Sequence, residues 1–110
     1  MEHYIIVKFN AGLTAEQKTE LTTSIRALFS QVTGIPGLSD IRVFRNCIHN
    51  PNRSDLMIRM TMERDALELF DQSAWHKQWK EQFGPFLEAK TIFDCQSSEE
   101  DGVISQGQTR

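Results

Sequence analysis

The chain has 110 residues, 39% hydrophobic and 25% charged, a balance that suits one globular domain and excludes global disorder. Its formal charge is −3; Glu99, Glu100 and Asp101 against Arg110 hold −2 of that near the C-terminus, leaving about −1 on the body. No basic patch offers nucleic acid an electrostatic footprint, and no apolar run reaches the about 18 residues of a membrane span.

HYIIVKF reads as the first strand, with His3, Ile5, Val7 and Phe9 on one face and Tyr4, Ile6 and Lys8 on the other. Both faces are largely apolar, so cover is expected on both sides. Thr14-Ala15-Glu16-Gln17 matches a capping box and opens a helix. Leu21, Ile25, Leu28, Phe29 and Val32 form its apolar stripe, and Gly34-Ile35-Pro36-Gly37 stops it.

A second strand is predicted over 39–47, turn chemistry at His49-Asn50-Pro51-Asn52, and a third strand over 54–62. The third places Leu56, Ile58, Met60 and Met62 on one face. A short helix follows from Arg64 to Gln72, burying Ala66, Leu69 and Phe70. SAWHKQW begins another helical piece with Ser73 as N-cap, and carries Trp75, Trp79 and Phe83 at steps of four. Gly84-Pro85 ends it, and 88–95 reads as the last strand. The domain is thus 1–95, and 96–110 is expected to be a disordered polar tail.

The order β-α-β-β-α-β predicts an α+β, ferredoxin-like protomer: a four-stranded antiparallel sheet with its helices on one face. Tyr4, Ile6, Met57, Phe44 and Phe93 then face outward on the other. An uncovered apolar face of this kind marks an interface, and a two-fold homodimer is its simplest cover. The N-terminus has no basic segment before a long apolar core, so it is not read as a secretion signal. Cys47 and Cys95 show no metal or redox spacing and are read as free thiols in a reducing, cytoplasmic setting.

Together HYIIVKFNAGLTAEQK, the GIPGL stop, SAWHKQW and the closing TIFDC resemble the stress-responsive α/β-barrel (Dabb) family, over residues 2 to 95. The resemblance implies a dimeric α+β barrel built from ferredoxin-like protomers. Most members have no assigned reaction. One plant branch, the olivetolic acid cyclases, closes poly-β-ketone rings by an aldol step without metal or organic cofactor. Barrels of similar fold include cofactor-free monooxygenases. By position, His76 matches the base of the cyclase branch and His3 its first-strand pocket histidine. Two further polar pocket positions of that branch fall on Phe70 and Leu56 here; Phe70 has no hydroxyl with which to orient an imidazole.

The residues themselves support the same two candidates. An imidazole titrates near neutral pH and suits proton abstraction beside a carbonyl, and apolar neighbours strengthen its electrostatics by excluding water. On a helix His76 neighbours Trp79, Lys80 and Phe83. The plain alternative is a boundary histidine that caps a carbonyl or faces solvent. For His3 the alternative is a structural role in the first strand. Ile5, Val7, Ile25, Phe29, Leu56, Ile58, Phe70, Trp75, Trp79 and Phe83 would line a pocket for a small apolar or aromatic metabolite, or serve simply as core. No metal or other cofactor is expected, since His3, His49 and His76 share no ligand spacing. Three functions follow: a cofactor-free acid/base enzyme using His76, a non-enzymatic dimeric stress or binding protein, and a cofactor-free monooxygenase.

Overall fold

A computed structural model describes residues 1–96, so the tail expected beyond Cys95 lies outside the described residues from 97 onward. The elements are β1 (Glu2–Phe9), α1 (Ala15–Ser30), β2 (Leu38–Arg45), β3 (Leu56–Met62), α2 (Ala66–Asp71), α3 (Ala74–Phe83), a single 3-10 turn (Gly84–Phe86) and β4 (Leu87–Cys95). The strands form one sheet in the order β2-β3-β1-β4, with every neighbouring pair antiparallel. This is the predicted ferredoxin-like arrangement. Each β-α-β half is split by the strand of the other half, which puts β1 and β3 in the centre.

The capping box forms as expected. Thr14 Oγ1 accepts from the Gln17 amide at 3.1 Å, and Gln17 Oε1 accepts from the Thr14 amide at 2.8 Å. The buried stripe of α1 is Thr22, Ile25, Leu28 and Phe29, while Leu21 and Val32 are only partly covered. Thr22 is tolerated there because its hydroxyl donates to the Lys18 carbonyl at 2.8 Å, so no polar group is left unpaired. Gly37 has φ 87°, and a Cβ on it would stand 3.1 Å from the Glu63 Cβ and 3.3 Å from that of Ala66. Only glycine lets the chain leaving α1 pass so close to the start of α2.

Strict alternation places His3, Ile5, Val7 and Phe9 of β1 with Leu56, Ile58, Met60 and Met62 of β3 against the helices, all buried. The core is this layer plus Ile25, Leu28 and Phe29 of α1, Ala66 and Phe70 of α2, and Trp79 and Phe83 of α3. On the opposite face the register lines up Tyr4 with Arg59 and Phe93, and Ile6 with Met57. There Phe44 is 40% and Phe93 58% exposed, and the Arg59 guanidinium lies 5.4 Å from the Phe44 ring centre. Among the described residues nothing covers this side of the sheet, since the three helices pack on the other.

Two sequence expectations are corrected. The strands flanking the hairpin are shorter than predicted, ending at Arg45 and resuming at Leu56, because the connection is tied by its own polar groups. The Asn46 amide donates to the Asp55 carbonyl and the Asn46 side chain to the Ser54 carbonyl, both at 2.9 Å. Leu69 is 46% exposed instead of buried. Ala66 and Phe70 set the inward direction of α2, and at 100° per residue Leu67 and Leu69 lie equally far to either side of it; the core packs against Leu67 and leaves Leu69 outside.

Candidate functional site

The site is built at the corner between α2 and α3. Ser73 is the N-cap of α3: its Oγ accepts from the His76 amide at 3.2 Å and donates to the Phe70 carbonyl at 2.6 Å. One hydroxyl thus ends one helix and starts the next. It places His76 in the first turn of α3, directly against the last turn of α2. The Phe70 ring meets the imidazole edge-on with centroids 5.3 Å apart, and His76 Nε2 lies 3.9 Å from Asp71 Oδ1. Asp71, Ser73, His76, Lys77 and Lys80 line an open surface groove along this corner.

Burial pushes the His76 pKa below its ordinary 6.5, opposed by the nearby Asp71 carboxylate and reinforced by Lys80. The imidazole is therefore neutral at neutral pH and able to accept a proton. Lys80 and Lys77 add positive charge to the same groove, where an oxyanion would gain from it.

His3 lies elsewhere on the sheet. It is 5% exposed, and its Nδ1 stands 2.5 Å from Asp94 Oδ1 across the β1–β4 ladder. The carboxylate fixes the orientation of the ring through Nδ1. Asp94 was not singled out in the sequence. The only signal for it was the pairing of the first strand with the last, which sets residue 3 opposite residue 94. His3 is not among the residues that line the His76 groove.

Of the ten residues expected to line a pocket, nine (Ile5, Val7, Ile25, Phe29, Leu56, Ile58, Phe70, Trp79 and Phe83) are at most 3% exposed and belong to one packed cluster. Trp79 packs edge-on against Phe29 at 5.3 Å and lies 5.6 Å from Phe83. Trp75 is half-buried and donates its indole N–H to the Thr33 carbonyl at 3.1 Å, tying α3 to the end of α1. Leu56 is core, while Phe70 stands beside His76. Among the described residues no three His, Cys, Asp or Glu side chains cluster at metal-binding distance. Nor is any helix long and apolar enough to cross a membrane.

Solved structures share this architecture. A dimeric protein of unknown function with a ferredoxin-like fold from Bacteroides fragilis superposes with a TM-score of 0.66 at 16% identity, over 84% of this chain and 90% of its own. A Dabb family protein from Mesorhizobium loti gives 0.58 at 16% identity, over 84% and 90%. The hydroxynitrile lyase of Passiflora edulis gives 0.63 at 9% identity, over 84% and 87%. The class is therefore that of ferredoxin-like α+β protomers, the fold found in a Dabb family protein and in dimeric neighbours. No protein-family model matches the chain, and no curated protein matches it.

Proposed function

We propose that this chain is a stress-responsive α/β-barrel (Dabb) family protein that works as a homodimer and performs cofactor-free acid/base chemistry on a small apolar or aromatic metabolite, with His76 as the proton-transfer group. The observation that carries the reading is His76 itself: half-buried, held by the Ser73 cap and desolvated enough to be neutral at neutral pH. His3, buried and held at Nδ1 by Asp94, stands outside the His76 groove and serves the β1–β4 ladder. The fold is compatible with catalysis, since a hydroxynitrile lyase shares it, but the reading rests on the site.

The dimer covers the apolar sheet face. Two sheets packed there bury at least the roughly 1,200 Å² of a stable interface. The free thiols Cys47 and Cys95 agree with a reducing cytoplasm.

The reading is tested by screening apolar ketones and phenols against the wild type and His76→Gln. Retained binding with lost turnover in the variant supports it. Full turnover in the variant overturns it. A second reading, a non-enzymatic dimeric stress or binding protein, is favoured by the closely packed core and by Phe70, which offers His76 no hydrogen bond. A cofactor-free monooxygenase, which oxygen uptake with quinols would reveal, has no separate observation in its favour.

A further inference from the structure

A second concavity lies at the far end of the sheet, where β1 ends and β4 begins, and it shares no lining residue with the His76 groove. It is a cleft of about 580 Å³ between the start of α1 and the β2–β3 connection. We infer that it binds a small organic anion, a carboxylate or phosphate ester carrying a short apolar body.

The floor explains why there is room. Ala11 and Ala15 are the residues that face the cleft where the chain enters α1, so no long side chain fills it. Phe9 lies below them, and Ile48, 47% exposed, forms an apolar lip on the connection. An apolar body is accommodated by these four.

The walls carry charge. Lys8, Lys18, Arg45 and Arg53 face Asp55 and Glu88, a formal +2 in a chain whose total is −3. Both carboxylates are already engaged. Asp55 Oδ2 accepts from the Phe9 amide at 2.8 Å, and Glu88 Oε2 stands 3.6 Å from the Lys8 ammonium. Lys8 also donates to the Pro51 carbonyl. Among the described residues Lys18, Arg45 and Arg53 form no ion pair; Arg45 is aimed across the cleft by a 3.2 Å bond to the Thr19 hydroxyl. Three cations from a helix, a strand and a loop face the one carboxylate of Asp55, and the excess positive charge attracts an anion.

The connection that holds Arg53 is fixed before any ligand arrives. Asn46 Oδ1 accepts from the Ile48 amide at 2.9 Å, Asn50 Oδ1 from the Asn52 amide at 3.1 Å, and the Asn50 carbonyl from the Arg53 amide at 2.9 Å. A site preformed in this way loses little ordering entropy on binding.

The experiment titrates the full chain, labelled for amide NMR, with benzoate, phenyl phosphate and neutral benzyl alcohol. At least one anion should bind saturably with shifts confined to the cleft, and benzyl alcohol should not; which anion binds tighter separates the carboxylate from the phosphate ligand. Paired Lys18→Glu and Arg53→Glu, or the milder Lys18→Gln and Arg53→Gln should the reversal unfold the chain, weaken binding by at least about tenfold. Lys77→Glu, in the other groove, leaves it unchanged. Absence of saturable anion binding, shifts that map elsewhere, or affinity unaltered by the paired changes overturns the inference.

Discussion

Phe93→Ala probes the uncovered sheet face most economically. Phe93 is 58% exposed on the edge strand β4, and its ring lies 6.2 Å from that of Tyr4. A phenylalanine side chain presents about 200 Å², so about 115 Å² of apolar surface awaits cover, worth about 3 kcal/mol at about 25 cal/mol per Å². Two-fold symmetry repeats the contact, giving an upper bound of about 6 kcal/mol per dimer. Incomplete burial and the retained Cβ halve this to about 3 kcal/mol, or about a hundredfold in the dimer dissociation constant. Sedimentation equilibrium across the micromolar range reads the effect directly. Because the ring supports little inside the protomer, far-UV circular dichroism should not change. A wild type that sediments as a monomer refutes the sheet-to-sheet pairing outright. A variant that dimerises as tightly as the wild type refutes the assignment of Phe93 to the interface.

Three further outcomes are expected. Trp79→Ala removes a side chain that is 1% exposed and wedged between Phe29 and Phe83, and should lower unfolding free energy by about 3–5 kcal/mol in urea titration. Ser73→Ala removes the cap that joins α2 to α3, and should cost about 1 kcal/mol while loosening His76, seen as broadened imidazole resonances. The folded chain holds His76 below its unfolded pKa of 6.5, so the unfolded chain binds that proton more readily. The stability associated with neutral His76 is therefore full above pH 6.5 and is lost as pH falls toward the folded value. His76→Gln should remove that part of the slope in thermal melts taken across the window.

Most of the architecture was legible because its signals are local. Alternation in HYIIVKF, the Thr14–Gln17 box and the Gly34–Gly37 stop each depend on a few adjacent residues, and their order leaves few topologies open. The outward row of Tyr4, Ile6, Phe44, Met57 and Phe93 followed once the strands were assigned, since strand faces alternate strictly. Leu69 was misplaced because one turn of a short helix gives too little periodicity to choose between Leu67 and Leu69 as the partner of Ala66 and Phe70.

The site was half visible. His76 stands out in SAWHKQW, and Ser73 reads as its cap. Asp94 stayed hidden because its partner is 91 residues away and only strand register brings them together. The cationic cleft was hidden for the same reason. Lys18, Arg45 and Arg53 are unremarkable along the chain and converge only when the β2–β3 connection folds over the start of α1. Nine of the ten expected pocket positions pack into the core of the protomer, and apolar spacing alone cannot tell a cavity wall from such a core.

Proton transfer by His76 can be measured without knowing the natural substrate. Acetylacetone in deuterium oxide loses its central protons at a rate that NMR follows directly. The wild type should accelerate this exchange, with a profile that rises through a midpoint below 6.5, and His76→Gln should abolish both the acceleration and the midpoint. Equal exchange rates for the two proteins across that range would contradict a proton-transfer role for His76.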